Sequence, residues 1–211
     1  MIIVVGGEKG GTGKTTLATN LAVLRRDAGH DVLLLDADPQ GSANNWSQFR
    51  LNTDLNPIPC LQKLGNIKAD IADLKTRYGD IFIDTGGRNS EELRSALVVA
   101  DVFITPIQPS QFDIWSLSTV NELVKIPKLL NPAMRSYVIA SRSVTNTGQQ
   151  ELMEMRSLLV EFPELTLLRT IIRDRVAFRK AAKFGKVVTE LLPEDKKASE
   201  EISAMYVEVF G

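Results

Sequence analysis

At 211 residues the chain is long enough to bury one sizeable core. Its 44% hydrophobic and 24% charged residues suit a globular fold rather than a disordered or fibrous one. A net charge of −1 excludes a polycation, so any contact with nucleic acid must come from a local patch. A single cysteine, Cys60, excludes an intrachain disulfide or an all-cysteine iron–sulfur site within one chain, and fits a reducing cytoplasm. No apolar run approaches the roughly 18 residues of a membrane span. The opening MIIVVGG is too short for a signal peptide and reads as a strand that begins at once.

In chain order, IIVV (2–5) predicts a buried strand, and a helix follows from Lys14 to about Asp27, broken by AGH. DVLLLD (31–36) predicts the second strand. A helical pattern over 66–77 leads to DIFID (80–84), and another over 90–99 leads to DVFITP (101–106). Helix 112–125, strand SYVIAS (136–141), helix 148–161, strand LTLLRT (165–170) and helices 176–184 and 195–209 complete the pattern. Continuously apolar strands alternating with helices imply a mostly parallel sheet covered on both faces. With right-handed crossovers this is a three-layer, doubly wound α/β fold. No repeat, low-complexity segment or linker interrupts it, so residues 1–211 are expected to form one domain. In such a sheet ligands bind beyond the carboxyl ends of the strands. GGEKGGTGKTT, DADPQG and DTGGR each follow a strand and should converge there.

The first cluster departs from the usual phosphate loop. G-x-x-x-x-G-K-[ST] ending on Gly13, Lys14 and Thr15 needs glycine at position 8, where Glu8 stands, and a second lysine, Lys9, precedes Gly10 and Gly11. Gly10, Gly11 and Gly13 still allow the backbone to turn its N–H groups inward on an anion, with the helix dipole behind them. Lys14 should reach the β- and γ-phosphates, and the Thr15 hydroxyl is placed to ligate Mg²⁺. Asp84, ending an apolar strand, is the expected carboxylate on the magnesium side. Asp36 and Asp38 add two carboxylates, one near the ion and one orienting the attacking water.

KGGTGKTT (9–16) resembles the deviant Walker A motif of the ParA/MinD ATPases. DADPQGSANNW (36–46) is similar to the ParA switch region, and DIFIDTGG (80–87) to the Walker B strand and switch II, where that family more often has D-T-P-P or D-G-A. RTIIRDRVAFRKAAKFGKVV (169–188) resembles the ParA C-terminal block. The resemblance implies a deviant Walker A P-loop ATPase of the small ParA type, without an N-terminal helix-turn-helix. It implies ATP and Mg²⁺ as cofactors and slow hydrolysis that a ParB-like or other cargo-adaptor protein stimulates. The nucleotide would rest on Lys9, Gly10, Gly11, Thr12, Gly13, Lys14, Thr15 and Thr16. Thr15, Asp84 and Asp36 would serve the metal, and Lys9, Lys14 and Asp38 catalysis, with Asp38 carrying hydrolysis. Arg142 would border the adenine. Lys9 would act in trans, neutralising phosphate charge in the partner subunit of an ATP-sandwich homodimer, a role like that of an arginine finger.

Between Arg169 and Lys186 lie Arg169, Arg173, Arg175, Arg179, Lys180, Lys183 and Lys186, opposed by Asp174 alone. If 176–186 is helical, Arg179, Lys183 and Lys186 share a face suited to a phosphate backbone. Nonspecific DNA binding through Arg173, Arg175, Arg179, Lys180, Lys183 and Lys186 is therefore expected, strengthened by dimerisation. No aromatic interleaving is evident. Such a protein would be cytoplasmic and nucleoid-associated when ATP is bound. The alternative is a MinD-like membrane-cycling ATPase, which would end in a basic amphipathic helix. Here Glu194, Asp195, Glu200, Glu201 and Glu208 make the last segment acidic, which argues against membrane. Ile202, Met205, Tyr206 and Val209 read instead as the core stripe of a final helix. A third reading is a metabolic P-loop enzyme such as a synthetase; the lone cysteine argues against an electron-transfer member.

Overall fold

The computed structural model describes residues 1–87, 90–109, 111–143 and 148–211, with the backbone alone for 111–116 and 148–152. Seven strands form one parallel sheet: β1 (Ile2–Gly7), β2 (Val32–Ala37), β3 (Cys60–Gln62), β4 (Asp80–Gly87), β5 (Val102–Ile107), β6 (Arg135–Ser143) and β7 (Thr166–Arg173). They lie in the order β3-β2-β4-β1-β5-β6-β7.

The period of two along each strand divides the core into two layers. Ile3, Val5, Leu34, Phe82 and Ile104 face one side, where they meet α1 (Lys14–Asp27), α2 (Ser42–Leu51), α7 (Val176–Lys183) and α8 (Lys196–Phe210). Ile2, Val4, Leu35, Ile83 and Phe103 face the other, covered by α3 (Lys68–Leu74), α4 (Glu91–Leu97), α5 (Gln111–Leu130) and α6 (Gly148–Leu159). Each such side chain taken out of water is worth about 1.5–3 kcal/mol, which is why the strands need apolar residues on both faces.

Right-handed crossovers explain which helix goes where. The chain leaves β1 for β2 and β3 in one direction, and α1 and α2 fall on the first face. It leaves β4 for β5 in the other direction, and α4 falls on the second. The helices that follow β1 and β4, neighbours in the sheet, therefore lie on opposite faces, which leaves a crevice at the carboxyl ends of these strands.

Two elements go beyond the sequence expectation. The helix α2 covers SANNWSQFRL, and its buried side is Ala43, Trp46, Ser47 and Arg50. A stripe completed by a serine and an arginine does not register as apolar periodicity. Strand β3, three residues long, exists by pairing with β2 at Leu34, Leu35 and Asp36. The helix α5 also passes Pro127 and runs to Leu130.

The last helix carries the expected core stripe: Ile202, Met205 and Val209 are buried, with Tyr206 half-buried. Its glutamates close the outer edge of β7. Glu208 accepts the Arg169 and Thr170 N–H groups at 2.6 and 3.0 Å, and Glu201 accepts the Arg173 N–H at 3.1 Å. Asp195 caps the helix by accepting the Ala198 N–H. Among the described residues no helix is long and apolar enough to cross a membrane.

Candidate functional site

The three strand-end clusters meet. Asp36 and Asp84 are register partners across β2 and β4, and Val5 pairs with Asp84 from the other side. The loop after β1 therefore closes over Asp84. Gly11 (φ 75°) and Gly13 (φ 99°) take left-handed conformations that only glycine adopts without strain. Gly13 caps α1 without a side-chain hydrogen bond, and the first turn of α1 holds no acidic residue. Its N–H groups and positive dipole end are left for an anion.

Lys14 is buried, and its Nζ donates to the Lys9 carbonyl at 2.6 Å. Burial pulls its ammonium below the ordinary lysine range, while Asp84 and Asp38 pull it back. Asp84 is fully buried, and neither carboxylate oxygen receives a hydrogen bond of good geometry. Burial pushes its carboxyl up to about 8; the facing Thr15 hydroxyl and Lys14 ease ionisation, and Asp36 and Asp38 oppose it. A buried carboxylate without partners is unfavourable by several kcal/mol unless positive charge reaches it. Two open oxygens beside a threonine hydroxyl and a phosphate cradle are the donor set a hard cation takes, so these residues fit Mg²⁺.

Asp36, expected on the metal side, lies beside Asp84 on the neighbouring strand, with both oxygens engaged by the backbone. One oxygen accepts the Asp38 N–H at 3.0 Å and the other the Asn44 N–H at 2.7 Å. Its carboxylate ties the DADPQG loop to the first turn of α2. Burial raises its pKa and these backbone donors lower it, with a net rise. Asp38 lies at the cleft: its Oδ1 accepts the Gln40 N–H at 2.9 Å, and the Gln62 amide donates to its carbonyl at 3.2 Å.

The second glycine of DTGG has a steric reason. A Cβ on Gly87 would fall 2.9 Å from the Gly10 nitrogen, and one on Gly86 would sit 3.4 Å from the Asp38 carboxyl carbon. The phosphate loop and the β4 end approach too closely for a side chain at Gly87, whereas at Gly86 the contact would be an ordinary one with the Asp38 side chain. Arg88, the last residue of DTGGR, lies outside the described residues.

The cleft, about 370 Å³, is lined by Gly10, Gly11, Gly13, Lys14, Thr15, Thr16 and Asp38. Gln40, Ser42 and Gly87, which motif spacing did not single out, complete it with Arg142. Thr12 is buried within the loop. Arg142 has φ 54°, the one positive φ at a non-glycine among the described residues, a conformation worth about 1–3 kcal/mol of strain. Its guanidinium donates to the Gly11 carbonyl at 2.6 Å and lies 3.4 Å from Asp174. It clamps the phosphate loop, and it also lines a smaller adjoining cavity of about 130 Å³ with Gly13, Thr16 and Phe178.

The basic block divides. Arg173 and Arg175 both pair with Glu201, at 3.2 and 2.6 Å, and Arg179 with Asp174 at 2.7 Å; all three line the small cavity beside the phosphate loop. The expected common face of Arg179, Lys183 and Lys186 does not form, because α7 ends at Lys183 and Gly185 turns left-handed (φ 64°). Lys180, Lys183 and Lys186 face a separate groove with Phe49 and Phe184.

Residues 3–188 match the model of the CobQ/CobB/MinD/ParA nucleotide binding domain. Among curated proteins, the chain is 24% identical to the maintenance of carboxysome distribution protein A of Halothiobacillus neapolitanus, covering 98% of this chain and 95% of that one. It is 25% identical to the chromosome-partitioning ATPase Soj of Thermus thermophilus, covering 96% and 95%. Among solved structures, a plasmid partition protein of Borrelia burgdorferi bound to AMPPNP superposes with a TM-score of 0.74 at 23% identity, over 99% of this chain and 97% of that one. A parallel sheet with a phosphate cradle at its switch point, matched over most of its length by that family model, places this chain in the CobQ/CobB/MinD/ParA nucleotide-binding family.

Proposed function

We propose that this chain is a ParA-type ATPase, a single P-loop domain that binds Mg²⁺–ATP in the cleft. It dimerises across the bound nucleotide and uses slow hydrolysis to position a cargo on DNA, with a partner protein that stimulates turnover. The observation that carries the reading is Asp84, a fully buried carboxyl at the end of β4 whose polar neighbours are the Thr15 hydroxyl and Lys14. Such a group is stable as a charge only when a cation joins it. The names of the relatives supply the rest: carboxysome distribution, chromosome partitioning and plasmid partition are three forms of positioning.

In this reading the Gly10–Gly13 backbone and the start of α1 hold the phosphates, and Lys14 bridges their outer oxygens. Mg²⁺, held by Thr15 and Asp84, would neutralise phosphate charge there. Asp36 fixes the loop that presents Asp38, and Asp38 orients the attacking water. Lys9 reaches the phosphates of the partner subunit. Arg142 holds the loop from the side on which the base lies. Lys180, Lys183 and Lys186, on the exposed groove, make the phosphate contacts to nonspecific DNA.

The test is sedimentation with Mg²⁺–ATP, paired with a turnover assay. Asp38→Ala should accumulate a stable dimer and lose hydrolysis. Lys9→Ala should bind nucleotide as a monomer. A normal ATP-dependent dimer in Lys9→Ala would remove the trans role, and undiminished turnover in Asp38→Ala would remove Asp38 from the mechanism.

A further inference from the structure

The groove between α2 and the end of α7 has a composition that phosphate contacts alone do not explain. Its volume is about 580 Å³. Phe49 and Phe184 line it while 57% and 53% exposed, and Leu192, at its edge, is 89% exposed. Lys180, Lys183 and Lys186 stand around them. Exposed phenyl rings lose water contact only when something covers them, and a duplex backbone met by lysine ammonium groups would not.

The backbones that carry the two rings are tied together. Trp46 of α2 donates its indole N–H to the Lys186 carbonyl at 3.0 Å, and the Arg50 guanidinium donates to the Gly185 carbonyl at 3.0 Å. A Cβ on Gly185 would fall 2.3 Å from the Arg50 nitrogen, so the two segments touch backbone to backbone. Phe49, on α2, and Phe184, in the turn after α7, thus sit at a fixed relation although 135 positions separate them in sequence (184 − 49). The Lys183 ammonium lies 5.8 Å from the centre of the Phe184 ring.

We infer that this groove takes single-stranded nucleic acid, with unpaired bases stacked on Phe49 and Phe184 and the strand's phosphates on the three lysines. The combination of a basic rim with aromatic platforms is how strands are held without sequence preference, because every base offers a π-face. A concave site suits a chain better than a flat bilayer. A base arriving on Phe184 takes the place of the Lys183 ammonium, which is then free for a phosphate. The inference rests on the proposed DNA-binding reading and narrows it to the form of nucleic acid this surface prefers.

The experiment is fluorescence anisotropy of the full chain with labelled oligo-dT of about 20 nucleotides and with a mixed-sequence duplex of equal length, each with and without Mg²⁺–ATP. The wild type should hold the single strand more tightly. Phe49→Ala and Phe184→Ala should each weaken that binding at least about fivefold, and leave the duplex unchanged. Phe184→Trp should restore it. Both rings are more than half exposed, so the alanine variants should melt like the wild type, which a thermal scan verifies. Duplex binding with no single-strand preference and no effect of the phenylalanines overturns the inference and leaves the DNA reading standing; the rings would then belong to a protein partner. Binding to neither probe in any nucleotide state overturns both.

Discussion

Asp84 shows how one residue can be legible by position and not by state. Its place at the end of DIFID marks it as a metal-side carboxylate, since strand ends face the crevice. That it is fully buried, with no backbone donor on its oxygens, and raised to about 8 by burial depends on β1 and β2 closing on both sides. Asp84→Asn should therefore keep the melting temperature of the ligand-free chain close to the wild type's at neutral pH, because a carboxyl raised to about 8 is already mostly protonated there and the amide retains its shape. The same variant should lose the further rise in melting temperature that Mg²⁺–ATP confers on the wild type. Retention of that rise, measured by thermal scan with and without Mg²⁺–ATP, would exclude Asp84 from the metal. Asp36 shows a structural task that its position does not announce. Its sequence neighbourhood reads as acidic chemistry, yet its two oxygens serve the Asp38 and Asn44 amides. Nothing in DADPQG reveals that the loop folds back so tightly.

At the level of elements, α2 links the aspartate loop to the C-terminal block. One end is tied to Asp36 through the Asn44 N–H. The other is held by Arg50, which is fully buried and binds Glu190 through both carboxylate oxygens, at 2.8 and 2.6 Å. Burial raises the Glu190 carboxyl, but Arg50, the Val187 N–H and Arg26 lower it further, so it ends below its ordinary range. A carboxyl lowered in the folded state binds fewer protons there than in the unfolded chain. Its stabilisation is present above the unfolded value of about 4.3 and is lost as pH falls through the folded one. Urea melts should thus be flat for this pair near neutrality and fall in acid, and Glu190→Gln should be less sensitive in that acid window. Glu190→Ala leaves a buried guanidinium without its carboxylate and should lose about 3 kcal/mol at neutral pH. A loss under about 0.5 kcal/mol, typical of surface changes, would show that the latch is incidental. No apolar periodicity marks this helix, because the residue that seats it is an arginine.

Over the whole molecule, charge is distributed by the fold rather than by the sequence blocks. The acidic tail that argues against membrane binding is spent on structure: Glu208 and Glu201 cover the β7 edge, and Glu201 also holds Arg173 and Arg175. The basic block loses those two arginines, and Arg179 on Asp174, as free cations, and Lys180, Lys183 and Lys186 gather around the groove. Duplex DNA binding in the ATP state should accordingly weaken with salt. Lys183→Ala should lower the slope of log affinity against log salt by about one per site, and Arg175→Ala should leave the slope nearly unchanged. Equal effects from the two variants would mean that Arg175 leaves Glu201 to meet DNA.

The chain's local order determined much of this protein. Apolar runs of three or four residues, such as IIVV, VLLL and IFI, dictate strands, the glycines and lysines of KGGTGKTT dictate an anion loop, and both follow from backbone freedom and side-chain chemistry within a few neighbours. The tertiary structure decided what depends on distant segments meeting. Gly87 is required by Gly10, Arg50 is paid for by Glu190, Arg142 is strained against Gly11, and Phe49 stands beside Phe184. Burial and hydrogen-bond satisfaction are properties of the packed chain. They set which carboxylate awaits a cation and which cations remain free, and no local pattern carries that information.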